Sequence, residues 1–140
     1  MAHISSPQQA PSRLLKILAI LALVFGVLTL FSGGSVLFGP QEARDAAGAY
    51  IPLMVWFNFT AGFFYVIAAI GIWLGRSWAC ILSVFIAAAT GIAALAFGFH
   101  TMQGAAFEMR TVGALVLRFG FWVMIAMTLR GSIRKAKAKL

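Results

Sequence analysis

Four uninterrupted apolar runs constrain this chain more than any other feature. Ile17 to Phe38 spans 22 residues, Pro52 to Gly75 spans 24 and Ser77 to Phe99 spans 23, all without a charge. Thr111 to Leu129 spans 19 residues and carries one charge, Arg118. A hydrocarbon layer of ~30 Å is crossed by a helix of ~20 apolar residues. Barrel strands instead alternate in polarity over segments of ~10 residues. The runs therefore predict four transmembrane helices. A soluble alternative fails on arithmetic. The chain is 62% hydrophobic and only 10% charged, and a domain of this size buries only about two thirds of its surface.

The linking segments are short: Gly39 to Ile51, Arg76 alone, and His100 to Arg110. They leave no room for a second domain and make neighbouring helices antiparallel. The expected architecture is all-α, a four-helix transmembrane bundle in a single domain over residues 1–140. It has a polar tail over 1–13, spans near 17–38, 52–75, 77–99 and 111–129, and a basic tail over 130–140. Lys and Arg orient such bundles, because they are retained on the cytoplasmic side. Arg13, Lys16, Arg76, Arg130, Arg134, Lys135, Lys137 and Lys139 share one side, against Arg44 and Arg110 on the other. Eight against two predicts both termini in the cytoplasm. The first apolar run is long for a signal peptide and no A-x-A-like site follows it, so an uncleaved first helix is expected.

The charges narrow the partners. A formal charge of +8 would suggest nucleic acid in a soluble domain. Here the positive residues sit in tails and turns. Arg130, Arg134, Lys135, Lys137 and Lys139 follow directly on a span, where such a run sets topology and meets anionic lipid. Membrane lipid is the expected partner and nucleic acid is not. The single cysteine, Cys80, excludes an internal disulfide and thiol exchange. No acid lies within a span, no helical pair of histidines can hold haem, and His3 lies in the tail. No P-loop, H-E-x-x-H or Ser-x-x-Lys occurs. An enzyme is not expected, nor a metal site.

Packing in lipid relies on small residues that let backbones approach. Gly71 and Gly75 form a G-x-x-x-G, and Ser83, Ala87 and Gly91 recur every fourth residue. Both patterns predict helix contacts within the bundle, with a homo-oligomer face as the secondary reading. Gly33-Gly34 suggests a loosened last turn in the first helix, and Gly39-Pro40 stops it. Tyr50, Trp56, Trp73 and Trp78 fall near the interfaces as an aromatic belt does, while Trp122 lies deeper.

The few polar residues at depth are the candidate site. Arg118 lies seven residues into the last span, ~10 Å along a helix. A guanidinium there costs roughly 2.5–3.5 kcal/mol and does not discharge itself by losing a proton. It calls either for an acceptor, on a ligand or a partner subunit, or for snorkelling to the headgroups. Asn58 enters from the same side to a similar depth. Thr29, Ser32 and Thr90 complete a plausible outer layer, although hydroxyls of this kind often bond only their own helix. His100, Glu108 and Arg110 sit at the outer rim, where Glu108 is placed to pair with Arg110 or His100.

Two stretches carry a family likeness. From Arg13 the chain reads R-L-L-K…F-G-V-L-T-L-F-S-G-G, and from Asn58 to Ala79 it reads N-F-T-A-G-F-F-Y-V-I-A-A-I-G-I-W-L-G-R-S-W-A. Together they resemble the DoxX-like group of small four-helix membrane proteins, over about half the chain. In that group a basic residue opens the first helix, and a glycine pattern followed by R-x-A marks the second helix and its turn. Ala61, Gly62, Gly71, Gly75, Arg76 and Ala79 fit it loosely. An acid often precedes the glycine of the second helix. Asn58 stands there instead and removes the carboxylate that a proton-linked role needs. The resemblance implies an accessory or assembly subunit of a redox complex in a prokaryotic cytoplasmic membrane, near the quinone pool and beside other membrane subunits. The residues themselves keep two further readings open. One is a small homo-oligomeric channel or transporter with anion preference. The other is an outer-leaflet quinone or lipid binder using Asn58, His100, Glu108 and Arg118.

Overall fold

The computed structural model describes residues 12–139. Residues 1–11 of the polar tail, with His3, lie outside them. The chain forms five helices: α1 (Arg13–Phe38), α2 (Gln41–Ala47), α3 (Pro52–Trp73), α4 (Trp78–Met102) and α5 (Met109–Ala138). The protein is all-helical among the described residues. Four of the helices, α1, α3, α4 and α5, are long and apolar enough to cross a membrane.

Local chemistry sets the helix ends. Ser12 caps α1, its hydroxyl accepting the Leu15 N–H at 3.3 Å, which satisfies one of the orphan donors of the first turn. Pro52 opens α3 at a position where its missing N–H costs nothing. The α3 terminus is a Schellman turn. Gly75 adopts φ +66°, its N–H bonds Ile72 O at 3.1 Å, and Arg76 N–H bonds Gly71 O at 2.9 Å. Gly75 thus belongs to the turn, where only glycine is unstrained, and the G-x-x-x-G is split between two jobs. Its first member, Gly71, packs against Trp78 and Ala79 at the start of α4.

The closest pair of helices is α1 and α3, and three glycines make that approach possible. A Cβ placed on Gly26 would stand 3.1 Å from Tyr65 Cβ. One on Gly33 would stand 3.1 Å from Phe59 Cβ, and one on Gly62 would stand 2.8 Å from Leu30 Cγ. Buried Ala19, Ala22, Ala61, Ala68 and Ala69 extend the same seam. Gly33 therefore packs within an intact helix that runs on to Phe38, rather than loosening its last turn. The second close pair is α4 and α5, where Gly91 receives the Phe119 ring. Ser83 and Ala87 of the same stripe are buried. Between α1 and α5 the contact is made by side chains: Phe25 meets Phe121 edge to face at 5.5 Å.

α2 is a short rim helix in what the sequence suggested was a plain link. Arg44 Nε ties it back to α1 through Val36 O at 3.2 Å. At the other end α5 does not stop with its apolar run. It continues helically through Arg130, Arg134, Lys135 and Lys137, whose charges favour the carbonyl end of the helix.

The glycine seam makes a direct prediction. Gly62→Ala forces a methyl into Leu30 and lowers stability by about 1–3 kcal/mol. Gly98→Ala, whose added Cβ meets no atom within 4 Å, leaves stability unchanged or raises it slightly. Unfolding in mixed detergent micelles measures both.

Candidate functional site

The four spanning helices converge on one polar and aromatic cluster. Tyr65 of α3 and Trp122 of α5 are both 0% exposed, with ring centroids 5.0 Å apart. Phe25 of α1 stacks on Tyr65 at 5.7 Å with the rings almost parallel. The Arg118 guanidinium carbon lies 5.8 Å from the centre of the Phe25 ring. Phe25 is the midpoint of α1, so the Arg118 guanidinium stands at the middle level of the bundle. Thr90 of α4 completes the cluster beside the Tyr65 hydroxyl.

The hydrogen-bonding capacity of this cluster is largely unused. Arg118 Nε and Nη1, Trp122 Nε1 and Asn58 Oδ1 are enclosed and meet no protein partner, and Tyr65 Oη has the Thr90 hydroxyl nearby but not in hydrogen-bonding geometry. A buried polar group left in this state costs ~1–3 kcal/mol, more when it is charged. The Phe25 face offsets part of the cost at Arg118, since a desolvated cation over a ring gains roughly 2 kcal/mol at most. The three acids of the chain, Glu42, Asp45 and Glu108, lie in or beside the rim segments and not within the apolar runs. Arg118 is thus a fixed positive charge beside the Phe25 ring, with two enclosed N–H groups that meet no acceptor among the described residues.

Asn58 and Arg118 share a depth. Met54 and Leu115, one turn before them on α3 and α5, belong to the same buried cluster with Ala93 and Phe97. The outer layer expected from sequence is realised unevenly. Thr29 and Thr90 are buried, but the Thr90 hydroxyl donates to Ile86 O at 2.8 Å in its own helix. Ser83 likewise donates to Ala79 O at 2.7 Å. Ser32 is exposed.

The rim residues separate from this cluster. Glu108 Oε1 accepts the Ala49 N–H at 3.0 Å, and Arg110 Nη2 donates to Ala46 O at 3.1 Å. The pairing expected between Glu108 and Arg110 or His100 gives way to bonds with the backbone at the end of α2. Arg110 takes a carbonyl at the negative end of that helix, and Glu108 takes the amide beyond it. Gly48, at φ +69°, makes the turn between them. The two residues clamp α2 over the bundle. His100 is exposed at the end of α4.

Tyr65 was the residue missed by sequence reasoning. Its signal was a phenol in the middle of an apolar run, since a buried Tyr hydroxyl or Trp N–H ordinarily has a partner. Trp122 stood out by depth but gave no hint of its neighbour. Among the described residues no group of three His, Cys, Asp or Glu side chains gathers to hold a metal. No family model, curated protein or solved structure matches the chain.

Two outcomes follow. Arg118→Leu removes an uncompensated buried charge, so the isolated protein gains about 1–3 kcal/mol, read as a higher melting temperature in detergent. Glu108→Ala frees the α2 end. Amide exchange at Ala49 rises about tenfold or more, as expected for a lost bond to a charged acceptor, while global melting hardly moves.

Proposed function

We propose that this protein is a non-catalytic quinone-binding component of the membrane, accessory to a larger redox complex. The observation that carries the reading is the set of orphaned donors on Arg118, Tyr65 and Trp122 at the centre of the bundle. A quinone suits such a set. Its ring stacks with aromatic side chains, its carbonyl oxygens accept from N–H and O–H groups without bringing a charge, and its tail is soluble in lipid. Carbonyl oxygens beside a fixed guanidinium gain from the low dielectric, where an unpaired charge is most in need of an acceptor. A quinone from the bilayer reaches the cluster between α1 and α5, where the Phe25 and Phe121 rings stand edge to face.

Support for the accessory role comes from the sequence. It shows no recognisable catalytic constellation, and two stretches resemble the DoxX-like proteins. The same reading has both termini in the cytoplasm, with successive spans antiparallel across a prokaryotic cytoplasmic membrane. The eight-to-two distribution of Lys and Arg supports that orientation, and the short links support the alternation. The basic end of α5, with Arg130, Arg134, Lys135, Lys137 and Lys139, then faces the anionic leaflet.

Fluorescence titration tests the ligand. In a variant whose Trp56, Trp73 and Trp78 are replaced by Phe, a short-chain ubiquinone added to nanodiscs quenches Trp122 saturably. Arg118→Leu in that background weakens binding tenfold to a hundredfold, the equivalent of one charge-assisted hydrogen bond of ~1.5–3 kcal/mol. Identical titrations of the two proteins overturn the quinone reading. Chloride flux through proteoliposomes, abolished by Arg118→Leu, replaces it with a channel. Native mass spectrometry of gently extracted membranes checks the accessory role. Co-migrating membrane subunits uphold it, and a bare homo-oligomer refutes it.

A further inference from the structure

An open groove of about 350 Å³ runs along the outside of α1 and α3, away from the Arg118 cluster. Ala19 and Ala69 form its floor. Ile20, Leu23, Ile70 and Trp73 rise as its walls, each of them about half exposed. The floor is shallow because the two backbones approach closely at small residues. The walls stand because the flanking positions are large. Such a trough accepts a flexible hydrocarbon chain better than the bulky face of another helix.

The mouth of the groove is charged. Lys16 Nζ lies 5.6 Å from the centre of the Trp73 ring, so the ammonium is held at the groove's end. Arg13 is one turn earlier on α1. Contacts between α1 and α3 pair Gly33 with Phe59, Leu30 with Gly62 and Gly26 with Tyr65. Continuing that register through Lys16 and Trp73 brings Arg76, in the turn after α3, to the level of Arg13, one turn from Lys16. All three acids, Glu42, Asp45 and Glu108, belong to the segments at the opposite end of α1 and α3, so none competes for these cations.

We propose that the α1–α3 groove is a binding site for one anionic phospholipid. Its acyl chain lies over Ala19 and Ala69, and its phosphate is bound at Lys16 with Arg13 and Arg76 in reach. Apolar floor, aromatic wall and cationic mouth follow one another as acyl chain, ester region and phosphate do in a phospholipid. Lys16 is a suitable group for this, because its apolar stem follows the groove while its ammonium stays at headgroup level. The site differs from the basic stretch of α5, a run of cations at a helix end that attracts anionic lipid as a diffuse field.

Native mass spectrometry in micelles doped with equal amounts of phosphatidylglycerol and phosphatidylcholine tests the site on the full chain. One phosphatidylglycerol per chain is expected to survive delipidation, with at least fivefold preference over phosphatidylcholine. Lys16→Gln reduces the retained lipid at least fivefold. Leu23→Trp, which changes only an exposed wall, blocks the groove and reduces it similarly. Arg134→Gln with Lys137→Gln leaves it unchanged. Equal retention of the two lipids, or indifference to both groove variants, overturns the proposal. So does a loss in the α5 variant as large as in Lys16→Gln, which would assign the lipid to the basic stretch. Both groove positions are exposed, so a shared melting temperature with the parent protein separates lost binding from lost folding.

Discussion

Helices already dissolved in lipid gain nothing from burying apolar surface against each other, because the hydrocarbon outside is as apolar as the neighbour inside. What brings them together is close contact. In this protein the closest contact is the α1–α3 seam, where Gly26, Gly33 and Gly62 each leave room for an opposing side chain. Everything else in the site depends on it. The seam sets Phe25 against Tyr65, and that stacked pair forms the surface on which Trp122 packs and over which Arg118 lies. The same close approach lowers the floor of the outer groove at Ala19 and Ala69. One packing choice therefore shapes both the interior cluster and the lipid-facing trough.

The rim works by different physics. Backbone groups that leave a helix near the membrane surface need partners, and the α2 segment leaves several. Glu108 and Arg110 provide two of them across a wide sequence separation, binding Ala49 and Ala46 from the first residues of α5. Their charges suit the task, since bonds to charged groups are stronger than neutral ones. The consequence for the site is a division of labour. The charged rim residues hold backbone, and the interior residues Arg118, Tyr65 and Trp122 keep their donors free.

How much of this the sequence carried depends on the range of each interaction. Span number and approximate limits were legible, because a run of apolar residues long enough to cross a bilayer has few other uses. The end of α3 was readable only in part. Gly71 and Gly75 were visible as a pair, but spacing alone did not reveal that Gly75 lies past the helix end. The seam glycines Gly26 and Gly33 are seven residues apart and face Tyr65 and Phe59 of another helix, so no short motif betrays them. Arg118 and Asn58 stood out because polarity at depth is rare. Their inward orientation did not, because it depends on helix rotation, which packing determines. The same limit hid Tyr65 beside Trp122 and the reach of Glu108 to Ala49.

An arginine alone in the interior has a consequence that an ion pair lacks. A buried pair neutralises itself and needs no third group, and a buried lysine or histidine escapes the cost by losing its proton. Arginine takes neither route at any ordinary pH. Without an acid among the spans, the Arg118 field persists in the low-dielectric interior and falls on whatever comes to lie against Phe25, Tyr65 and Trp122. Water satisfies such donors but stacks poorly with three aromatic rings. A flat, carbonyl-bearing molecule meets both demands at once, and the bilayer that surrounds the protein is where such molecules dissolve. The stability withheld by leaving these donors open then reappears as affinity, because a ligand that fills them relieves a cost the apo protein carries.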